Sequence, residues 1–312
     1  MQEKNKKKWP YVVIAVFVLI LVLLYAYLYL LPNITDTLTP TYIVERDSHL
    51  VTDDPKCIIV RDEEVFYAEK TGSLTYYSKE TEKTRKGFVV ADIYAGNKYS
   101  YSCPTTGFVS YYIDGYEDYF TPDTIGSLDV NEYANLDAVP ENTVRNEAQI
   151  GQPVYKLIKS NTWYMLLLVS EENLSKYTIN ANITVQLNET DSVTAKVIRF
   201  LGDGETRVVV ASTKLYYENF AKLRTLNVHV VTKQTEGLAI PTSAICTQDG
   251  KQGILVLGVD EDYVFKEIDI LVSDGDKTLI SSDGKIKLYD EILRNGQDDN
   301  SGESTASDAA IK

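Results

Sequence analysis

The chain has 312 residues, and its 45 Asp and Glu against 31 Lys and Arg give a formal net charge of −14. This acidic balance argues against nucleic acid and anionic lipid head groups as partners. The three cysteines (Cys57, Cys103, Cys246) and the two histidines (His49, His229) lie far apart in sequence. A disulfide framework and a transition-metal site are therefore not expected, and we expect three buried free thiols, although one pair is an open alternative.

The first element is an uncharged apolar run from Tyr11 to Leu31. As a helix it would span about 30 Å, the thickness of a bilayer's hydrocarbon core. Four lysines lie within residues 1–10, and no further Lys or Arg occurs before Arg46. The pattern predicts a cytoplasmic basic segment (1–10), a transmembrane helix (11–31) and an extracytoplasmic remainder. The run is too long for a signal peptide and lacks a small-x-small cleavage site, so we expect an uncleaved single-pass anchor in the cell membrane.

A polar tether is predicted at residues 32–55, and the pattern after it is mostly β. Short apolar or alternating segments are separated by turn sequences, which is typical of several small barrels or sandwiches. The predicted strands cover residues 73–77, 88–94, 108–113, 164–169, 183–187, 193–200, 206–211, 226–232, 253–259 and 264–272. Helical patterns are confined to residues 122–136, 214–223 and 285–293. The tail, residues 295–312, is rich in Gly, Ser, Asp and Asn and is predicted to be disordered.

An imperfect internal repeat relates residues 65–94 to residues 101–158. Each copy contains a strand, a glycine, a second strand, a polar turn, a second glycine and a final apolar strand. The glycines correspond in pairs, Gly72 with Gly107 and Gly87 with Gly151. We expect them to be structural turn glycines, with a positive φ at Gly107 in particular. Because neither copy can bury its apolar face alone, the two copies are expected to interlock, and they resemble the halves of a lipoyl-like, or barrel-sandwich hybrid, domain.

Downstream sequences extend this resemblance to HlyD-family membrane fusion proteins. The segment 163–174 is similar to the strand and short helix that open the barrel of that family. A second segment is similar to the family's Gly-Leu-x-Ile-Pro-x-Ser-Ala-Ile motif. The matching residues are Gly237, Leu238, Ile240, Pro241, Ser243, Ala244 and Ile245. The resemblance implies a lipoyl-like domain (56–160), a β-barrel domain (161–236) and a membrane-proximal-type β domain (237–294).

The chain departs from the family where its members insert a long helical hairpin. Only Ala95–Ser100 joins the two lipoyl-like halves here, so this sequence is a variant without the long helical hairpin. The second half instead contains an insertion at residues 119–145 that is rich in acidic residues. Because long loops in compact domains are often functional, we hypothesise that this insertion is a partner-contacting surface outside the core. The alternative is a decorative loop.

No motif for catalysis, metal binding or a cofactor is evident. Lys98 lies where lipoyl carriers are modified, but its neighbours Asn97 and Tyr99 do not match, so a solvated turn lysine is expected. The acidic segments 115–118 and 260–262 lack EF-hand spacing and a nearby nucleophile, and solvated turns are expected there. The prediction is therefore a protein that is not an enzyme and has no cofactor and no metal.

The resemblance implies an extracytoplasmic adaptor that supports an export or efflux transporter through protein–protein contacts. Self-association into a homo-oligomer is an open alternative. The absent hairpin suggests a cell with a single membrane. The sequence leaves open a different class, a non-catalytic scaffold of the cell envelope or of the division machinery. A third interpretation, a cofactor-carrying enzyme subunit, requires a modified Lys98.

Overall fold

A computed structural model of the chain describes residues 9–25, 41–129, 133, 135–215, 219–259 and 262–296. The chain divides into two compact units, which we name the central unit (residues 50–234) and the terminal unit (residues 1–49 and 235–312). The architecture is mostly β, as the alternating segments predict.

Helix α1 (Trp9–Tyr25) begins two residues before the uncharged apolar run and includes its first fifteen residues. All side chains from Val16 to Tyr25 are 49–61% exposed. Among the residues described, none belongs to a helix both long and apolar enough for a membrane crossing. Residues 26–31 of the predicted span, like most of the predicted tail, lie outside the described residues.

The described part of the predicted tether is folded. Residues 41–53 form strands β1 (Thr41–Ile43) and β2 (Glu45–Asp53), with Val44 fully buried between them. The prediction of a polar tether is therefore wrong for residues 41–53.

In the central unit, β3 (Lys56–Val60) is followed by the strands of the hybrid segment, which we define as residues 63–158. These strands are β4 (Glu63–Tyr67), β5 (Gly72–Tyr76), β6 (Lys83–Thr84), β7 (Val89–Ala95), β8 (Asn97–Ser102), β9 (Gly107–Ser110), β10 (Tyr112–Ile113), β11 (Glu141–Asn142), β12 (Glu147–Ala148) and β13 (Pro153–Ile158). They form two antiparallel four-stranded sheets, with orders β12-β5-β7-β8 and β4-β13-β9-β6, while β10 pairs with β11. A core that includes Ile93, Val109 and Tyr155 lies within this segment.

The two halves of the hybrid segment interlock through equivalent hydrogen bonds. The amide of Gly87 donates to Cys103 O in the other half, and the amide of Gly151 donates in the same way to Ala68 O, at 2.8 and 2.7 Å. In return, the amide of Cys103 donates to Phe88 O at 2.9 Å, and that of Ala68 to Gln152 O at 2.8 Å. The sequence repeat thus corresponds to a structural repeat.

The four repeat glycines fall into two classes. Gly87 and Gly151 lie in turns with φ of +80° and +84°, where an L side chain is strained. Gly72 and Gly107 lie in strands without a positive φ, so the expected positive φ at Gly107 is wrong. Both are instead sites of close backbone approach, because a Cβ would lie 2.1 Å from Tyr94 O at Gly72 and 2.5 Å from Ile158 O at Gly107.

The barrel segment, residues 163–234, also lies in the central unit. Its elements are β14 (Trp163–Ser170), helix α2 (Glu171–Leu174), β15 (Asn182–Gln186), β16 (Ser192–Leu201), β17 (Thr206–Thr213), β18 (Thr225–Asn227) and the first part of β19 (His229–Pro241). With β3, the strands pair in the order β18-β3-β14-β17-β16-β15-β19. The inner face of this sheet encloses a core that includes Trp163, Met165 and Val209. The predicted strand 226–232 is divided at Val228 into β18 and β19.

The terminal unit is built around the predicted family motif. A short 3₁₀ helix (Thr242–Ala244) follows β19 and precedes β20 (Cys246–Gln248), β21 (Lys251–Leu257), β22 (Tyr263–Glu267), β23 (Ile270–Asp274), β24 (Lys277–Ile280) and β25 (Glu291–Leu293). Strands β1, β25, β21 and β20 form a sheet in that order, and β22 pairs with β21. The predicted strand 264–272 is two strands, and the predicted helix 285–293 is wrong, since turns and β25 occupy it.

The motif residues supply core and pairing in this unit. Leu238, Ile240 and Ala244 are 0–2% exposed and belong to its core, and Leu238 to Pro241 pair with β24. Gly237 permits close packing, because a Cβ there would lie 2.7 Å from Ile280 O. Ser243 Oγ donates to Arg294 O at 2.8 Å, and Ile245 packs against the same core. All three cysteines are buried thiols, as expected.

Candidate functional site

The barrel sheet of the central unit has two apolar faces. Strands β3, β14 and β17 contain the near-continuous apolar runs 57–60, 165–169 and 208–211, and alternate residues point to opposite sides of the sheet. One side faces the barrel core. On the other side Ile58, Leu166, Val208 and Val210 are 1–4% exposed, so a further layer of protein must cover them.

The covering layer is the insertion. We define the strap as residues 114–138, and its Phe120, Ile125 and Tyr133 are 0%, 2% and 6% exposed against the outer face of the barrel sheet. Leu128 and Leu136 pack against the same cluster. The hypothesis that the insertion lies outside the core is therefore wrong, because its apolar side chains form the second core of the barrel sheet.

Aromatic rings hold the centre of the strap. The ring of Phe120 lies 5.1 Å from that of Tyr133 in an edge-to-face arrangement and 5.7 Å from that of Tyr119. The guanidinium of Arg224 lies over the same ring, 5.9 Å from its centroid. This cation–π contact connects the apolar strap to a cluster of buried charges.

The buried charges form what we name the ion cluster. Three basic and three acidic side chains contribute, each at most 3% exposed, so its formal charge is balanced. The members are Arg61, Lys156 and Arg224 with Glu63, Asp114 and Glu117. They come from the hybrid segment, the strap, the residues after β3 and the loop before β18. The cluster therefore lies where the hybrid and barrel segments meet.

Glu63 is the centre of the cluster. Its Oε1 accepts a hydrogen bond from Arg61 Nε at 2.7 Å and lies 3.0 Å from Lys156 Nζ. Its Oε2 accepts a short hydrogen bond from Arg224 Nη2. Burial would raise the pKa of Glu63, but the charges of Arg224, Arg61 and Lys156 outweigh it and hold that pKa well below its usual range.

The strap supplies the other two carboxylates. Arg224 Nε donates to Asp114 Oδ2 at 3.1 Å, and Lys156 Nζ donates to Glu117 Oε1 at 3.2 Å. Glu117 also accepts from the amides of Asp114 and Gly115 at 2.9 and 3.0 Å, which fixes the turn at the start of the strap. The prediction that segment 115–118 is a solvated turn is thus wrong for Glu117, whose side chain is 3% exposed.

Backbone carbonyls satisfy most of the remaining donors. Arg61 Nη1 donates to Phe220 O and Leu223 O at 2.5 and 2.8 Å, and Arg224 Nη1 donates to Ile59 O at 2.9 Å. Within the cluster, Arg61 Nη2 is the one buried atom without a hydrogen-bond partner in the described structure. Burial would lower the pKa of Arg224, but Glu63 and Asp114 raise it. Arg224 is therefore charged, and the hydrogen bonds hold both arginines at fixed positions.

The chemistry of the cluster is structural pairing. Every carboxylate accepts from a cation, so none is available as a general base. Across the described ranges, no group of three or more His, Cys, Asp or Glu side chains could hold a metal ion. The candidate acidic segment 260–262 lies mostly outside the described residues.

Lys98 lies at the β7–β8 hairpin, as its sequence position predicts. Its Nζ is 2.8 Å from Asp92 Oδ2, and its side chain is 51% exposed. Ser100 Oγ and Tyr77 Oη donate to the same carboxylate at 2.6 and 2.7 Å. Because Asp92 holds the ammonium, the pKa of Lys98 is raised, which does not favour its acting as an amine nucleophile. The lysine is thus paired as well as solvated.

The ion cluster was not foreseen from the sequence, although one signal was present. Lys156 interrupts the apolar strand Pro153–Ile158, and Arg61 and Glu63 directly follow the apolar strand β3. A charge inside a buried strand requires a buried partner. The identity of that partner could not be read, because Glu117 is 39 residues away in the chain.

Comparisons with known proteins agree with this architecture. A family model described as "RND related, barrel-sandwich hybrid domain" matches residues 63–159, and one described as "RND related, beta-barrel domain" matches residues 163–234. No curated protein matches the chain in sequence.

Three solved structures to which the chain is similar at low identity are the following. ZneB from Cupriavidus metallidurans is 11% identical with a TM-score of 0.32, covering 82% of this chain and 92% of its own. MacA from Actinobacillus actinomycetemcomitans is 12% identical with a TM-score of 0.34, covering 81% and 99%. A MacA-MexA chimera containing the Pseudomonas aeruginosa MexA α-hairpin domain is 11% identical with a TM-score of 0.35, covering 80% and 98%.

The two family models together match more than half of the chain, in the order hybrid then barrel. The chain belongs to the RND-related membrane fusion proteins. The resemblance to membrane fusion proteins seen in the sequence is confirmed, and it supports an adaptor role with efflux transporters.

Proposed function

We propose that this chain is a membrane-anchored, extracytoplasmic adaptor that supports an export or efflux transporter through protein–protein contacts, without catalysis of its own. The observation that carries the proposal is the match of both adaptor domains, hybrid and barrel, to consecutive parts of the chain. The ion cluster is consistent with it, because its carboxylates are all engaged in pairing.

Anchoring is supported by the N-terminal segment. Helix α1 exposes apolar side chains over residues 16–25, and burying such a surface in lipid would remove it from water. The lysines of residues 1–10 favour a cytoplasmic N-terminus, which would place the remainder outside the cell membrane.

The orientation can be tested by cysteine labelling in intact cells. Ser304→Cys should react with a membrane-impermeant thiol reagent without lysis, whereas the matched variant Lys4→Cys should react only after lysis. The parent supplies a low background, because its three cysteines are buried. The reverse order of reactivity would refute the proposed orientation.

The partner can be tested by crosslinking in intact cells, followed by purification of the tagged full chain and mass spectrometry. A matched control is the chain from residue 33 onward directed to the same compartment, which lacks the proposed anchor. Enrichment of one transporter by the full chain is expected. Enrichment of division or envelope proteins without a transporter would favour the scaffold alternative, and enrichment of neither would contradict the adaptor proposal.

A further inference from the structure

The strap connects the hybrid and barrel segments at their joint. It belongs to the hybrid segment by sequence, since it lies between β10 and β11, which pair with each other. Its apolar side chains, however, pack on β3, β14 and β17 of the barrel sheet. The strap therefore crosses from one segment to the other and returns.

The ion cluster lies at the start of this crossing, where Asp114 and Glu117 belong to it. Lys156 of the hybrid segment contacts Glu117 of the strap, and Arg224 of the barrel segment contacts Asp114 of the strap. Both cations also contact Glu63, at the first residue of β4. Any rotation of the hybrid segment against the barrel would have to separate Arg224 from Glu63 and Asp114, and separating such buried charges is strongly unfavourable.

A third contact at the joint is aromatic. The ring of Phe108 in β9 lies 5.3 Å from that of Phe220 in the barrel segment, in an edge-to-face arrangement. Phe108 and Ile158 of the hybrid segment belong to the same buried cluster as Trp163 and Met165 of the barrel. The apolar core is thus continuous across the joint, which is not typical of domains that move independently.

We infer that the strap and the ion cluster lock the hybrid and barrel segments into one rigid body, so that this adaptor does not bend between them. Three features act together: the apolar strap, the balanced ion cluster and the continuous aromatic core. Packed cores and fully paired charge clusters adopt discrete arrangements and do not deform gradually. The central unit is accordingly a stiff spacer.

The experiment measures a distance distribution between spin labels by pulsed electron paramagnetic resonance on the full chain in detergent. One label pair crosses the joint, Lys86→Cys in the hybrid segment with Glu189→Cys in the barrel. The reference pair lies within the hybrid segment, Lys86→Cys with Ile150→Cys. All three side chains are exposed, and the native cysteines are buried.

If the two segments form one rigid body, the parent should give a single distance distribution across the joint, as narrow as that of the reference pair. The strap variant Asp114→Asn with Glu117→Gln removes the two strap carboxylates of the ion cluster. It should broaden the cross-joint distribution at least twofold while leaving the distribution of the reference pair unchanged. Glu171→Gln, which removes an exposed ion pair with Arg207, is the matched control and should change neither distribution.

Two results would overturn the inference. One is a cross-joint distribution in the parent that is broad or has two maxima while the reference pair is narrow. The other is a folded strap variant whose cross-joint distribution is as narrow as that of the parent. If the strap variant does not fold, Phe120→Leu replaces it, because this change loosens the packing of the strap on the barrel sheet more mildly. The cross-joint distance distribution of the parent also tests the inference without any variant.

Discussion

Phe120→Ala tests whether the strap is part of the core. The side chain is 0% exposed and packs among Tyr116, Tyr119 and Tyr133, so its truncation removes a fully buried ring. Buried Phe→Ala changes cost about 3–5 kcal/mol in general. The lower end, about 3 kcal/mol, is expected here, because the strap is a covering layer on the barrel sheet and can settle into part of the space that the ring leaves.

The assay is thermal unfolding followed by tryptophan fluorescence. Trp163 is 1% exposed inside the barrel, and a Trp9→Phe background makes it the sole tryptophan. In a unit of this size each kcal/mol lowers Tm by about 2–4 °C, so the expected decrease is about 6–12 °C. Tyr119→Ala is the matched control, since that ring is 46% exposed, and it should lower Tm by about 2–4 °C.

Equal and small decreases in Tm for Phe120→Ala and Tyr119→Ala would refute the reasoning. They would show that the strap leaves the barrel face without loss of stability, and that the apolar residues of β14 and β17 do not depend on it. A large decrease for Phe120→Ala alone would support the second core.

Three further predictions concern charge, pH and backbone approach. Glu63→Gln should destabilise the protein by about 3–5 kcal/mol in thermal unfolding, because it leaves buried cations undercompensated, whereas Glu171→Gln at the surface should cost about 1 kcal/mol or less. Because the folded-state pKa of Glu63 is depressed, its contribution to stability is fully present above about pH 4.3 and is lost as the pH falls toward the folded pKa; Tm measured against pH should decrease over that acid range, less steeply in Glu63→Gln. Gly107→Ala should cost about 1–3 kcal/mol in the same assay, because its Cβ would lie 2.5 Å from Ile158 O, whereas Gly204→Ala, where nothing lies within 4 Å, should be nearly neutral.

Each of these has a contradicting result. Equal Tm values for Glu63→Gln and Glu171→Gln would mean that the cluster is not dry. A parent Tm that is flat from pH 7 to pH 2 would mean that the folded state does not favour the ionised carboxylate. Equal stabilities of the two glycine variants would mean that β9 and β13 are farther apart than the structure has them.

Much of the β architecture could be predicted from the sequence, because alternation is a local property. In β15 and β16 buried and exposed residues alternate, and the boundaries come within a few residues of those expected. The internal repeat was also visible, since its glycines recur at matching places. Two of these glycines have a different structural role from the one expected. Gly72 and Gly107 allow a neighbouring backbone to approach, and this role depends on strands distant in sequence.

The role of the insertion could not be read in this way. Its apolar residues, among them Phe120 and Ile125, are spaced too irregularly to indicate a partner. The informative signal lay elsewhere, in the runs of consecutive apolar residues at 58–60, 166–169 and 208–210, which require cover on both faces of a sheet. The sequence therefore showed that a cover was needed, but not which segment supplied it.

The second core has a practical consequence for dissecting the molecule. The boundary between the two family matches falls between residues 159 and 163, which suggests that the barrel could be produced as a separate fragment. Such a fragment would leave Leu166, Val208 and Val210 in water, as an exposed apolar face that favours association with other copies. The segment that matches the barrel family model is thus smaller than the segment that buries both faces of the sheet. A soluble truncation therefore has to begin before β3 and retain the strap.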